Sequence, residues 1–322
     1  MKKIFSNKKE IEEIQDTGLS SKYNSRTERL IGRDGNFTIT KKGIPFFDSF
    51  NPYHWLIRIS TLKFFMIVLI TFVIANLFFA TLYYINGVEN LGIIEQQTNP
   101  EKFFTAFFFS AQTITTVGYG KINPSNFSAD IIASIESLIG LLSFAVTAGL
   151  LYGRFSRPVA NIVFSKNAVI APFEGKTALQ FRTANIHKSE LSDAVVQVVF
   201  SPLEMSDGTE KRKFYNLKLE YHKINFFSSV WTVNHPIDDE SPLAGLTQQD
   251  LQDSEAELLV LLKAFDETFA QTVNTRYSYR FDEIIWGARF TKIYDLDENG
   301  KLIVRLDNIS DYENVNLELP EK

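Results

Sequence analysis

The sequence predicts an α+β membrane protein: a two-transmembrane-helix domain with a short re-entrant helix between its spans, followed by a cytoplasmic β-sandwich domain. Three observations carry this. Two apolar runs are each long enough to cross a bilayer. The segment between them begins like a helix but is too short to cross. From Ala168 onward the texture changes to short β-rich runs divided by turn formers. The 322 residues leave room for about two domains. Of the 29 phenylalanines, many lie between Phe46 and Phe127, where aromatic bulk suits lipid and tight helix packing. A net charge of −5 without a basic stripe argues against nucleic-acid binding. The absence of cysteine excludes disulfides, thiolate chemistry and cysteine-ligated metals.

Residues 1–43 are polar and mixed in charge, with Gly32, Gly35 and Gly43 as breakers, and read as a partly ordered cytoplasmic arm without a secretory signal. Within 44–60, Asn51 can cap a helix whose first position is Pro52. Tyr53 and Trp55 beside His54 and Arg58 describe a short amphipathic helix in the membrane interface, or else the first turn of the next helix. The stretch 64–85 holds 22 residues and no charge, and at a rise of 1.5 Å it reaches roughly 33 Å. It forms the outer helix, 62–85, in which Asn76 is expected to face a neighbouring helix. After a polar turn, Thr98 or Asn99 before Pro100 and Glu101 starts a pore helix over 100–113, whose apolar run 103–110 cannot span. Non-helical backbone at that depth is tolerated only inside protein or along a water-filled path.

That backbone is Thr115-Thr116-Val117-Gly118-Tyr119-Gly120. Thr-Val-Gly-Tyr-Gly is the established filter sequence of potassium channels, in which four copies ring an axis and their carbonyls replace the hydration of K⁺; the mechanism is carried over from them. Carbonyls of successive residues share a direction only if the backbone alternates between right- and left-handed regions, and Gly118 and Gly120 enter the second at no steric cost. Oxygens of Thr116, Val117, Gly118 and Tyr119 would then hold K⁺, the permeant ion, with no cofactor, while Val117 and Tyr119 turn their side chains outward. A nucleotide fingerprint is excluded, because no third glycine follows and no strand precedes.

The inner helix, 129–155, completes a pore domain over 61–157, and Glu136 is the only charge in its apolar stretch 131–152. Glu136 reads as a carboxylate hydrogen-bonded behind the filter or reaching the interface. Gly140, Phe144, Ala148 and Tyr152 recur every four residues along one face. If that face lines the axis, Gly140 offers a bend, Phe144 lines a cavity and Tyr152 closes the inner mouth, since hydrophobic rings gate by dewetting. Ordinary helix packing is the alternative. Lys41, Lys42, Arg58 and Lys63 precede the first span and Arg154, Arg157 and Lys166 follow the second, while the loop between holds only Lys102 and Lys121. Both termini are therefore expected in the cytoplasm.

The β domain, 158–310, is expected to hold strands at 177–182, 194–200, 214–221, 229–233, 257–264, 287–294 and 301–306, with a tail at 311–322. Glu174-Gly175, Asp207-Gly208 and Asn299-Gly300 supply turns. His187, His222 and His235 are scattered and no catalytic motif accompanies them, so no enzyme is expected; His235-Pro236 reads as a turn.

The residues from about 46 to 306 resemble the inward-rectifier potassium channel family, specifically its bacterial branch. Besides the filter, the resemblance rests on Trp55-Leu56, Phe107-Phe108-Phe109-Ser110, Arg154-Phe155-Ser156-Arg157-Pro158, Phe173-Glu174-Gly175-Lys176, the run from Ser229 to Asp238 and Asp282-Glu283-Ile284-Ile285-Trp286-Gly287. It implies a homotetramer, in which each chain meets three identical subunits, in the bacterial inner membrane. It also implies an immunoglobulin-like cytoplasmic domain and an interfacial slide helix. By the same resemblance Tyr152 falls on the aromatic gate and the segment from Thr268 to Val273, with Phe269, Ala270 and Gln271, on a cytoplasmic apex loop. Arg58, Arg154, Arg157 and Lys166 become candidates for anionic lipid headgroups. Phe144 stands where strong rectifiers carry an acid, so strong polyamine block is not expected. Gln112 stands where many relatives have a glutamate behind the filter, and Lys121 follows the filter, so their acidic/basic strut cannot form unchanged.

Overall fold

A computed structural model describes residues 29–38, 43, 51–92, 98–156, 161–186, 190–206 and 208–317. Arg157, His187, Asp207, the run 44–50, most of the arm and the end of the tail lie outside the described residues. The chain divides into two units, 42–157 and 158–322, the second joined by the N-terminal arm.

Among the described residues the membrane unit has four α-helices. Helix α1, Pro52–Arg58, begins where Asn51 Oδ1 accepts a hydrogen bond from the His54 amide at 3.0 Å, with Pro52 following the cap. Helix α2, Thr61–Asn86, is apolar on every side over 26 residues, about 39 Å at 1.5 Å per residue. It stops at Gly87, whose φ of 97° no ordinary side chain tolerates, and a short 3₁₀ turn, Val88–Leu91, follows. Helix α3, Asn99–Ile114, is opened by a capping box: the Thr98 amide and hydroxyl both donate to Glu101 Oε2 at 2.8 Å. Helix α4, Phe127–Phe155, starts two residues before the sequence expectation because the Asn126 side chain accepts from the Ala129 amide at 2.8 Å. Helices α2 and α4 are long and apolar enough to span a membrane. Phe79, Ala80, Tyr83, Ala106, Phe109 and Ala129 bury the contact among α2, α3 and α4.

The second unit is an immunoglobulin-like sandwich of two five-stranded sheets. In one, the long strand Lys176–Asn185 pairs with Ala168–Phe173 and Ile162–Phe164 on one edge and with Val230–Ile237 on the other. Ile284–Trp286 joins Ala168–Phe173 in parallel, a pairing that sequence periodicity did not announce. In the other sheet, Glu257–Asp266 lies between Leu191–Ser201 and Gln271–Arg280. Side chains at every second position face the shared core: Leu179 and Phe181 from the first sheet, Val196, Val198, Phe200, Leu258, Val260 and Leu262 from the second. Glu174 and Gly175, with φ of 50° and 76°, make the tight turn between Phe173 and Lys176 that the sequence led one to expect. Asn299-Gly300 likewise lies between the paired strands Tyr294–Leu296 and Leu302–Val304.

Two expectations are corrected. The run 214–221 is strand only over Tyr215–Asn216; beyond it the backbone breaks ladder geometry, and the Lys218 carbonyl accepts a hydrogen bond from His235 Nδ1 at 2.6 Å. His235-Pro236 is not a turn but lies within Val230–Ile237, where proline is tolerated because this strand is at an edge and pairs on one side only.

The N-terminal segment 29–38 folds onto this unit. Leu30 and Ile31 are buried against Phe214 and Leu259. Arg29 Nη2 reaches Glu283 Oε2 at 2.6 Å, and Arg33 Nη2 reaches Glu283 Oε1 at the same distance. Burial works against the Glu283 charge, but the bonds from Arg33, the Arg280 amide and Arg29 outweigh it and hold the carboxyl below its usual range.

With the Lys218 carbonyl accepting at Nδ1, the proton of neutral His235 sits there, and Nε2 accepts from the Ser241 hydroxyl at 2.7 Å. Burial pushes the His235 imidazole below its ordinary range. A histidine depressed in the fold contributes stability that is present above its unfolded value of about 6.5 and is lost as pH falls below it. The thermal midpoint of the full chain, followed by far-UV circular dichroism, should drop between about pH 7.5 and about pH 5.5, and His235→Gln should flatten that drop.

Candidate functional site

The site begins where α3 runs out. The Thr115 amide donates to the Ala111 carbonyl at 3.3 Å and the Thr116 amide to the Thr113 carbonyl at 3.0 Å. The amides of Val117 and Gly118 both turn back to the Gln112 carbonyl, at 3.0 and 3.3 Å. Four successive N–H groups are thereby satisfied by the last turn of the helix. Among the described residues, no hydrogen bond ends on the carbonyl oxygens of Thr116, Val117, Gly118 or Tyr119. Those oxygens are left for something else.

Backbone φ is positive at Thr116 (60°), Gly118 (50°) and Gly120 (79°), and at neither residue between them. The sequence pointed to the two glycines but not to Thr116. A threonine in the left-handed region costs roughly 1–2 kcal/mol, and no local sequence signal announces it. All six residues, Thr115 to Gly120, are exposed on the single chain. A Cβ added to Gly118 or Gly120 would meet nothing within 4 Å, so conformation alone demands glycine there.

Behind this loop the inner helix approaches closely. A Cβ at Gly140 would lie 2.2 Å from the Ile114 carbonyl oxygen. Gly140 is buried, α4 continues through it, and its missing side chain leaves room for the end of α3. The four-residue stripe therefore divides: Gly140 packs, whereas Phe144 and Tyr152 are each 75% exposed on the single chain and Ala148 is exposed with them. Phe144 and Gly140 also border an apolar cavity of about 720 Å³ that runs between α2 and α4 to Thr115 and Thr116.

Of the candidate headgroup ligands, Arg154 is already engaged. Its Nη1 donates to the carbonyls of Leu56 (2.7 Å) and Ile57 (3.2 Å), and its Nη2 to the Ile59 carbonyl (2.9 Å) and the Thr61 hydroxyl (3.3 Å). The guanidinium also lies 4.9 Å above the Phe64 ring. It caps the carbonyl end of α1 and ties that helix to the inner one. Arg58 and Lys166 are exposed, and the Lys166 amide donates to Ser310 Oγ at 3.0 Å. Among the described residues Gln112 Oε1 is buried without a partner and Lys121 is exposed, so no acidic/basic strut joins these two positions. In the β unit, the candidate apex residues Phe269, Ala270 and Gln271 sit at the hairpin joining Glu257–Asp266 to Gln271–Arg280; Asp266 Oδ1 accepts from the amides of Thr268 and Phe269.

The model for the inward rectifier potassium channel C-terminal domain matches residues 162–321, and the ion channel model matches 70–157. The inward rectifier potassium channel Kirbac3.1 of Paramagnetospirillum magnetotacticum is 38% identical over 281 residues, covering 86% of this chain and 93% of that protein. The chain belongs to the inward rectifier potassium channel family. Animal members are similar over less of their length. Inward rectifier potassium channel 18 of Homo sapiens is 30% identical, covering 61% of this chain and 48% of its own. The G protein-activated inward rectifier potassium channel 2 of Mesocricetus auratus is 28% identical, covering 75% and 60%. As a member of this family the chain is a membrane protein and not an enzyme.

Because Gly140 gives the Ile114 carbonyl its room, Gly140→Ala should overpack this contact at a cost of about 1–3 kcal/mol. A lowered thermal midpoint in detergent, with Gly149→Ala as the control because a Cβ there meets nothing within 4 Å, is the expected result.

Proposed function

We propose that this channel-family chain conducts K⁺ selectively and passively as a homotetramer, with residues 115–120 of four subunits forming the filter. One observation carries the reading: φ turns positive at every second residue from Thr116 to Gly120, which flips alternate peptide planes so that their carbonyls can share a direction. Because the neighbouring amides are satisfied by α3, the carbonyls of Thr116, Val117, Gly118 and Tyr119 are free to replace the water of a K⁺ ion. The side chains of Val117 and Tyr119 would brace the ring from outside.

In this reading Phe144 and Ala148 line the inner path and four copies of Tyr152 close it by dewetting. Gly140 lies at the wall beside the filter, through its contact with Ile114. The chain would sit in a bacterial plasma membrane with both termini in the cytoplasm, in keeping with its basic flanks. Exposed Arg58 and Lys166, with Arg157, are offered as contacts for anionic headgroups. The immunoglobulin-like domain extends the conduction path, with the hairpin at Phe269, Ala270 and Gln271 as a second constriction.

Purified protein in liposomes should take up K⁺ or Rb⁺ in a Ba²⁺-sensitive manner with little Na⁺ flux; equal Na⁺ flux would leave only a channel of low selectivity. Gly118→Ala should abolish selective flux while tetramers persist on native gels, because a side chain there penalises the left-handed conformation by about 1 kcal/mol or more in each of four subunits. Tyr152→Ala should raise resting flux, and an unchanged resting flux would remove Tyr152 from the gate.

A further inference from the structure

Four buried polar side chains from three helices meet behind the filter loop. Tyr83 and Asn76 come from α2, Ser110 from α3 and Glu136 from α4, and each is 0% exposed. Tyr83 Oη donates to Glu136 Oε2 at 2.7 Å. Ser110 Oγ is in hydrogen-bond contact with Glu136 Oε1 and lies 3.1 Å from Asn76 Oδ1. Asn76 Nδ2 donates to the Phe72 carbonyl at 2.7 Å, which orients the amide: flipped over, it would press two carbonyl oxygens together.

Three oxygen-to-oxygen contacts join Tyr83, Glu136, Ser110 and Asn76, and each needs one proton. The hydroxyls of Tyr83 and Ser110 hold one apiece, and the amide oxygen of Asn76 holds none. Were Glu136 ionised, Ser110 could serve the carboxylate or Asn76 but not both, and one buried pair of acceptors would face each other without a hydrogen. We propose that Glu136 supplies the third proton: its carboxyl is neutral, Oε1–H donates to Ser110 Oγ, and the Ser110 proton passes on to Asn76 Oδ1. The result is a one-way chain of donors from Tyr83 through Glu136, Ser110 and Asn76 to the Phe72 carbonyl, in which every member is satisfied.

The surroundings agree. The other ionisable groups on the helices packed here are Lys63 and Tyr84 on α2, Glu101 and Lys102 on α3, and Asp130, Tyr152 and Arg154 on α4 itself. None of them is bonded to Glu136, and among the described residues no lysine or arginine is ion-paired with it. A carboxylate would be buried with no counter-ion. Glu136 is thus a positioning residue: as a neutral acid it clasps α4 to α3 five residues before Thr115, and α3 in turn to α2. The proton assignment rests on this geometry alone, whereas its consequence for flux rests on the channel reading above.

Infrared spectroscopy of the full chain in lipid tests the proton without requiring flux, so its failure is distinguishable from failure of the channel reading. The Glu136→Gln minus wild-type difference at neutral pH should show the loss of a protonated-carboxyl C=O band. Loss of an ionised carboxylate band in its place overturns the proposal. Glutamine repeats the neutral pattern, with its amide donating to Ser110 and its oxygen accepting from Tyr83. Rb⁺ uptake by E136Q should therefore stay within about twofold of wild type, whereas Glu136→Ala, which leaves Tyr83 and Ser110 without their partner, should lose about tenfold. An E136Q loss as deep as that of E136A would refute the role of a neutral acid.

Discussion

A chain that turns back inside a bilayer must hand every freed backbone group to protein or to the path it lines, and the membrane unit is arranged around that demand. The last turn of the pore helix meets half of it by accepting the amides of Thr115 through Gly118 on the carbonyls of Ala111, Gln112 and Thr113. The other half, the carbonyls of residues 116–119, is left unpaired among the described residues. This asymmetry, amides bound and carbonyls free, is what a cation pathway needs, and it follows from where the helix stops.

Everything behind the loop serves to hold that helix end still. Gly140 lets the inner helix touch the Ile114 carbonyl, and one turn earlier on both helices Glu136 meets Ser110 in the chain that also takes in Tyr83 and Asn76. Apolar packing through Phe79, Tyr83 and Phe109 fills the remainder, with the Tyr83 and Phe109 rings edge to face at 4.9 Å. The choice of residues is economical in chemical terms. Around Glu136 each buried polar side chain finds a partner, because in lipid an unmet one costs several kcal/mol, whereas Gln112 Oε1 and Asn86 Nδ2 are buried without one among the described residues. At the opposite end of the inner helix, Arg154 closes the carbonyls of α1, so the interfacial helix and the proposed gate at Tyr152 are connected through two residues of backbone.

Much of this was legible in advance. The spans were announced by uninterrupted apolar length, the pore helix by Thr98, Pro100 and Glu101, and two of the three left-handed positions between 116 and 120 by their glycines. Strands such as Leu191–Ser201 and Glu257–Asp266 could be read as β-rich runs bounded by turn formers. Gln271–Arg280 could not, because its polar residues disguise a strand whose burial is concentrated at Tyr277, Ser278 and Tyr279. Ile284–Trp286 was hidden too, since it owes its existence to a parallel neighbour more than a hundred residues away.

The sequence by itself determined what local chemistry determines: where helices start and stop, which segments are long and apolar enough to span, and which residues can enter the left-handed region freely. Tertiary structure alone decided how side chains far apart in sequence divide their work. Gly140 and Phe144 look alike on a helical wheel, yet one meets a carbonyl of the pore helix and the other does not. Thr116 accepts a positive φ that Gly118 and Gly120 adopt without steric cost. Arg154 directs most of its donors to backbone, and among the described residues Glu136 finds two hydroxyls and no cation. Each of these outcomes depends on the distance between elements, which periodicity along one chain does not encode.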